Sequence, residues 1–157
     1  MIVMGIDPGL AITGYGVLEK KGNRVVSLAY DSIVTSAKNM TPAERLETIH
    51  CRVGELLDQY RPSHLAIEKL FFSRNVTSAM GVSEVRGVII LSAQQRGIPV
   101  SEYTPTQVKL AITGSGKADK LQMQEMIRRL LGLSEIPRPD DVADGLSVAL
   151  CHIHVVR

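Results

Sequence analysis

The segment MIVMGID, residues 1–7, is an almost uninterrupted apolar run that ends in a carboxylate and is followed by Pro-Gly. Apolar residues without alternation are typical of a strand buried on both faces in the centre of a sheet. An ionised carboxylate at the end of such a strand is costly unless it is paired, hydrogen-bonded or bound to a cation. Asp7 is therefore a candidate functional residue; the alternative is a local turn in which it bonds to the backbone near Gly9.

Working outward from this strand, the sequence predicts four more strands. TGYGVLEK and RVVSLAYDSIV, joined by the turn KGN, predict a hairpin that completes a three-strand meander. HLAIE and IPVSEY, residues 64–68 and 98–103, predict the fourth and fifth strands.

Helical periodicity and capping residues predict five helices. The first begins after Thr41, with Pro42 at its first position, and ends before Pro62. The others are predicted at about residues 75–96, after Thr104, from Asp119 to Gly132 and from about Asp140. This order predicts the α/β class: a five-stranded mixed sheet, made of the meander plus two strands added through helices, with helices on both faces.

The composition is that of an ordinary globular protein. The 157 residues are 45% apolar and 22% charged, and we expect a single domain spanning residues 1–157. No apolar stretch is long enough to span a bilayer and no signal peptide is evident, so we expect a cytoplasmic protein without a membrane partner. Cys51 and Cys151 lack the spacing of a zinc site or a disulfide framework, and we expect both thiols to be reduced and buried.

Three further carboxylates join Asp7 as candidates. Glu68 ends the apolar strand HLAIE and lies beside Asp7 if the first and fourth strands are neighbours; its alternative role is as an ion-pair partner for a nearby cation. In PDDVADGLSVAL, Asp140 or Asp141 is expected to cap the last helix. Asp144 lies on the same helical face as Asp141, so this pair either complements the helix dipole or extends over the sheet.

If the four acids cluster, they raise one another's pKa unless cations neutralise them. Mg²⁺ and Mn²⁺ prefer oxygen ligands, and the sequence has no His or Cys set with zinc-site spacing. The pattern therefore indicates a site for hard divalent cations.

Four segments occur in a fixed order over essentially the whole chain: GIDPGLAITGYGV, AIEKLFFSRNVTSAMGVSEVRG, TPTQVKLAITGSGKADK and PDDVADGLSVAL. Together they resemble the RuvC-type Holliday junction resolvase family. The resemblance implies a ribonuclease H-like fold, a homodimer, and metal-dependent nicking of four-way DNA junctions in recombination and DNA repair. It assigns the catalytic and metal-binding positions to Asp7, Glu68, Asp141 and Asp144.

The same resemblance implies DNA contacts outside the acids. Phe71 falls where the family carries an aromatic residue that stacks on bases near the junction centre, and Lys109 and Lys120 match basic residues near the scissile phosphate. Lys120 is also a catalytic candidate, because it can stabilise charge on the phosphoryl group. The remaining predicted DNA contacts are Phe72 and Arg74, together with Lys117, Arg128, Arg129 and Arg138, which are expected to bind the DNA backbone. Lys69 and Phe72 depart from the family pattern, where we expect a polar uncharged residue and a less bulky one.

We predict that two Mg²⁺ ions, roughly 4 Å apart, are bridged by Asp7 and held by the other three acids, with Mn²⁺ able to substitute. In-line attack of water then leaves a 5′-phosphate and a 3′-hydroxyl. Two matched nicks need two identical sites, which a two-fold homodimer supplies. The expected partners are four-way junction DNA, a second copy of the chain and, by resemblance, a branch-migration motor of the RuvA–RuvB type.

The candidate dimer interface is the long second helix, which is apolar over much of its surface. Its apolar residues include Met80, Val85, Val88, Ile89 and Leu91. From periodicity alone, a core helix that covers the sheet fits equally well.

Other functions fit parts of the sequence. A ribonuclease H-like nuclease that acts on RNA has similar acids, and IDPGLAITGYGV also resembles a phosphate-binding hairpin of actin-like ATPases, which need two such domains. A non-catalytic junction-binding module is a third alternative, although retention of all four acids argues against it.

Overall fold

The computed structural model describes residues 1–70 and 76–156 and places five strands in one mixed sheet. The strands are β1 Ile2–Asp7, β2 Ile12–Lys21, β3 Arg24–Val34, β4 His64–Glu68 and β5 Val100–Tyr103. Their spatial order is β3-β2-β1-β4-β5, with β1, β2 and β3 antiparallel neighbours and β4 and β5 added in parallel. This confirms the predicted meander, the neighbouring first and fourth strands, and the central position of residues 1–7.

Five helices connect and cover the strands. They are α1 Pro42–Tyr60, α2 Val76–Gln95, α3 Pro105–Thr113, α4 Lys120–Leu130 and α5 Asp140–Val155. The predicted starts of α1, α3 and α4 are confirmed, because the side chains of Thr41, Thr104 and Asp119 each accept a backbone N–H three residues later. None of the helices in these described ranges is long and apolar enough to cross a membrane.

Helix α5 begins at Asp140, as predicted, but the prediction of its N-cap residue was wrong. The residue at the N-cap position is Pro139, which makes no side-chain capping bond, so Asp140 and Asp141 are the first two residues inside the helix. Their carboxylates have other partners: Asp140 contacts Lys120 and Gln124, and Asp141 contacts Asp7. Both acids still lie at the positive end of the helix dipole.

The expectation of two buried cysteines was half right. Cys151 is buried in α5, whereas Cys51 is exposed, because it lies on the solvent side of α1 between the buried residues Ile49 and Val53.

Each face of the sheet has its own apolar core. On one face, α3, α4 and α5 pack over Val3, Leu18 and Ala66; on the other, α1 and α2 pack over Met4 and Ile6. Because residues of a strand alternate between faces, Asp7 lies on the same side as Val3, which is the α5 side.

Unusually close packing brings α5 down onto β1 and β2. A Cβ atom on Gly14 would lie 1.9 Å from the carbonyl oxygen of Asp141, and one on Gly5 would lie 2.1 Å from that of Gly145. Real Cβ contacts are never that short, so only glycine fits at these positions. Gly14 pairs with Asp7 across the β1–β2 ladder, and the first turn of α5 therefore lies over the end of β1.

Helix α2 has one face buried against the sheet and apolar side chains that are exposed. Val85 and Ile89 are fully buried against the sheet, which confirms α2 as a core helix. Met80 and Leu91 are 60% and 50% exposed, so an apolar part of the helix also faces outward.

Candidate active site

Asp7 and Glu68 meet at the carboxyl ends of two parallel strands. Ile6 of β1 is paired with Ile67 of β4, so Asp7 and Glu68, the next residues of the two strands, lie side by side at the edge of the sheet. Strand alternation sends both carboxylates to the α5 face, opposite Ile6 and Ile67, which belong to the core beneath α1 and α2. The juxtaposition predicted from the sequence is confirmed.

The first turns of α5 bring Asp141 and Asp144 to the same place. When protonated, the Asp7 carboxyl is placed to donate a hydrogen bond to the carboxylate of either residue. Asp144 also interacts electrostatically with Glu68. The structure thus brings together all four acids that the sequence singled out.

The acids lie between two adjoining depressions on the surface. A cavity of about 370 Å³ is lined by Asp7, Glu68 and Asp144 together with Lys109 and Lys120. Asp141 lines a second cavity, of about 470 Å³, bounded by the loop after β1, by α2 and by Arg45.

Burial and mutual repulsion disturb the protonation of three of these acids. Burial, followed by the charges of Asp144, Asp141 and Glu68, raises the pKa of Asp7 to about 9. Burial and Asp141 also raise the pKa of Asp144, against an opposing effect of Lys120. The pKa of Glu68 is raised by burial and by Asp144, while Lys109 opposes the shift. Such clusters of perturbed acids are more common at functional sites than elsewhere.

The donor set fits a hard divalent cation in chemical type. All four side chains offer oxygen atoms, and a cation would remove the repulsion that raises their pKa values. Within residues 1–70 and 76–156, however, no group of three or more His, Cys, Asp or Glu side chains forms a ready-made metal site. Without metal, the carboxyl groups contact one another in pairs, Asp7 with Asp141 and Asp7 with Asp144.

Lys120 is held at the cavity by a residue whose role the sequence did not reveal. Its ammonium group forms an ion pair with Asp140, and this hydrogen bond raises the pKa of Lys120. Asp140 also accepts a hydrogen bond of 3.0 Å from the amide of Gln124. The sequence signal was the presence of three aspartates, Asp140, Asp141 and Asp144, within six positions. The prediction that Asp140 or Asp141 caps the helix obscured this other role of Asp140.

The other predicted DNA contacts are placed unevenly. Lys109, on α3, lines the same cavity as the acids, whereas Lys117 is exposed in the loop between α3 and α4 and is not among the described residues of that lining. Phe71, Phe72 and Arg74 lie outside the described residues.

Sequence reasoning also missed Arg86, a buried cation on the back of the sheet. Its guanidinium donates to the backbone oxygen of Glu68 and forms an ion pair with Glu102 of β5. A signal was present, since Arg86 falls on the apolar face of α2, at helical spacing from Val82 and Ile89.

Comparison with known proteins agrees with this geometry. The family model "Crossover junction endodeoxyribonuclease RuvC" matches residues 3–152. The curated relative of that name from Desulfitobacterium hafniense is 51% identical over 100% of this chain and 94% of its own length. The relative from Heliobacterium modesticaldum is 52% identical over 98% of this chain and 94% of its own.

Among solved structures, Thermus thermophilus RuvC in complex with a Holliday junction substrate matches with a TM-score of 0.95 and 40% identity. The match covers 100% of this chain and 95% of that one. The ribonuclease H-like fold and the family resemblance are both confirmed. The chain belongs to the crossover junction endodeoxyribonuclease RuvC family of metal-dependent nucleases.

Proposed function

We propose that this protein resolves four-way DNA junctions by paired, symmetric nicks in recombination and DNA repair. The observation that carries the proposal is the cavity lined by three acids, Asp7, Glu68 and Asp144, together with Lys109 and Lys120. The relatives named above are junction-specific DNA endonucleases, which favours this function over an RNA-directed nuclease, an actin-like ATPase or a non-catalytic binding module.

The four acids are proposed to hold two Mg²⁺ ions, or Mn²⁺ in their place. Bound there, the ions would supply an activated water and would neutralise charge on the leaving 3′-oxygen. The protein contributes a pre-arranged set of carboxylates whose ionisation is unfavourable without cations. Because Asp7 lies between Glu68 and the two acids of α5, it is the proposed bridging ligand.

The lysines are proposed to bind the cleaved strand. Lys120 lines the acid cavity and is oriented by Asp140, so it is suited to stabilise negative charge on the phosphoryl group. Lys109 and Lys117 would contact the DNA backbone, an interaction that weakens with added salt. Phe71, Phe72 and Arg74 follow Glu68 closely in sequence and remain proposed junction contacts.

A homodimer is proposed to place two such sites on one junction. Helix α2 has an outward stripe with heptad-like spacing, formed by Met80, Glu84, Gly87 and Leu91. Nothing lies within 4 Å of a Cβ placed on Gly87, so a second helix can approach closely at that point. A RuvA–RuvB type motor is a further proposed partner, by resemblance to the family, and residues 1–157 are proposed to act as one nuclease domain.

The test is cleavage of an end-labelled synthetic four-way junction, with Mg²⁺ and with chelator, by the wild-type protein and by Asp7→Asn. We expect paired nicks that a ligase can seal, and they should require both Mg²⁺ and Asp7. RNA–DNA hybrids and linear duplex serve as competing substrates. Equal cleavage of all three substrates would contradict junction selectivity, and cutting in chelator would contradict the role of the metal.

A further inference from the structure

Arg86 is the charged residue of α2 that lies beneath the catalytic edge of the sheet. It is only 9% exposed, and both of its terminal nitrogens are used. Nη1 donates to the backbone carbonyl of Glu68, and Nη2 forms an ion pair with the carboxylate of Glu102. One side chain therefore joins the ends of two neighbouring strands.

The position of Arg86 is opposite to that of the acids. Glu102 is paired with Ile67 in the β4–β5 ladder, and both face α2, whereas the Glu68 carboxylate faces α5. Arg86 thus holds the backbone of Glu68 from the back of the sheet while the carboxylate points into the cavity in front. Just beyond it, the amide of Lys69 donates to the carbonyl of Tyr103 at 2.8 Å, which continues the ladder past the last residue of β4.

Burying a guanidinium at this position costs desolvation free energy. Removing a charge from water is unfavourable unless its partners are well placed, and an apolar side chain would pack against the sheet without that cost. What arginine adds is a planar fork that reaches two acceptors at once, which lysine does not offer. The contacts made by this fork are to one backbone oxygen at the proposed metal site and one carboxylate on the next strand.

We propose that Arg86 is a positioning residue that fixes the backbone of Glu68 and thereby sets the metal affinity of the site. This inference rests on the proposed role of Glu68 as a metal ligand. Groups that orient metal ligands from behind commonly change metal affinity by roughly 10–100-fold when they are removed.

The experiment measures Mn²⁺ binding by calorimetry in the absence of DNA, and Tm separately in chelator. The variants are Arg86→Met and Arg86→Lys, with Glu68→Gln as the reference for loss of the ligand itself. Arg96→Met is the matched control, because Arg96 forms a comparable ion pair with Asp58, at 2.7 Å, far from the acids. Both methionine variants are expected to lower Tm.

We expect Arg86→Met to weaken Mn²⁺ binding by about tenfold or more, Arg86→Lys to fall between it and wild type, and Arg96→Met to bind as wild type does. If Glu68→Gln weakens binding and the folded Arg86 variants do not, the positioning role is wrong and the metal site stands. If Glu68→Gln itself binds Mn²⁺ normally, the proposed ligand role of Glu68 is wrong. Should Arg86→Met fail to fold, the comparison of Arg86→Lys with Arg96→Met decides the matter in the same way.

Discussion

At the scale of single residues, the acid cluster is a place where stability and function oppose each other. The pKa of Asp7 is raised from 3.8 to about 9, so the folded protein holds that proton more tightly than the unfolded chain does. A raised carboxyl pKa favours folding fully below about pH 4, and this contribution is lost as pH rises towards 9. Without metal, ionising the carboxylates that are proposed to bind Mg²⁺ would therefore destabilise the folded state at neutral pH.

We predict that Asp7→Asn abolishes junction cleavage and, in chelator at pH 8, raises Tm by roughly 3–8 °C. The unfolded wild-type chain has released the Asp7 proton at that pH and must take it up again on folding, a cost that asparagine does not have. The difference in Tm between the two proteins should shrink towards pH 5, because the free-energy cost of that proton uptake falls as pH approaches the ordinary carboxyl pKa of 3.8. Scanning calorimetry from pH 5 to 9 checks this. A difference that is constant with pH would show that folding does not raise the pKa of Asp7.

Adding Mg²⁺ should reverse the order of stability. A cation bound to the wild-type carboxylates favours the folded state by mass action, whereas Asp7→Asn lacks one ligand. We expect Tm of the wild-type protein at pH 8 to rise with Mg²⁺ concentration and that of Asp7→Asn to change much less. An equal response of the two proteins would place the bound ion away from Asp7.

The pair of Asp140 and Lys120 gives a second prediction at this scale. Both groups are solvent-accessible, so breaking their ion pair should leave Tm nearly unchanged. If Asp140 aims Lys120 at the phosphoryl group, Asp140→Ala should lower the single-turnover cleavage rate about 3–10-fold, and Lys120→Ala should lower it further. Lys21→Ala, which breaks a solvent-accessible ion pair with Glu19 at the opposite end of the β1–β2 ladder from Asp7, is the control and should cleave normally.

At the scale of elements, the close approach of α5 to the sheet determines where two of the acids lie. We predict that Gly14→Ala destabilises the protein by about 1–3 kcal/mol or more, because the added methyl group collides with the backbone of Asp141. Gly81→Ala in α2 is the control: its Cβ meets only Leu10, at 3.9 Å, so it should be neutral or slightly stabilising. Urea unfolding of the two variants gives the comparison, and equal stabilities would mean that α5 can shift away without cost.

The elements differ in how far the sequence alone predicts them. The starts of α1, α3 and α4 were predicted correctly because capping is a local interaction within four residues. Asp7 and Glu68 were brought together correctly because strand order follows from general rules of connection. The capping role of Asp140 or Asp141 was mispredicted because the partners of these two residues come from distant segments.

The contacts of Arg86 could not be predicted from the sequence for a related reason. Its acceptors are a backbone oxygen on β4 and a carboxylate on β5, and neither is marked by a pattern near α2. Likewise, nothing in the sequence around Gly5 and Gly14 predicted that the backbone of a helix would pack directly against them. Contacts between elements that are distant in sequence are thus the part that periodicity and capping do not reveal.

At the scale of the whole molecule, the proposed paired nicking requires two copies of the chain to act together. We predict that Leu91→Glu, in the outward stripe of α2, converts a dimer into a monomer in sedimentation at micromolar concentration. Burying a charge at an apolar contact is unfavourable, whereas the exposed side chain leaves the monomer fold intact.

The same variant should release mostly singly nicked junctions, because the two cuts are no longer coupled. Leu130→Glu, at an exposed position of α4, is the matched control and should remain a dimer that makes paired nicks. A dimeric Leu91→Glu protein would exclude this face of α2 as the interface.

The packing of α5 across β1, β2 and β4 also has a consequence during synthesis on the ribosome. Asp7 belongs to the first strand, while Asp141 and Asp144 belong to the last helix, roughly 130 residues later in the chain. At translation rates of about 5–20 residues per second, the nascent chain spends several seconds or more with its first acid made and its last acids still missing. Until α5 has left the exit tunnel and packed onto the sheet, a growing polypeptide therefore has no assembled acid cluster, and the proposed nuclease activity cannot begin.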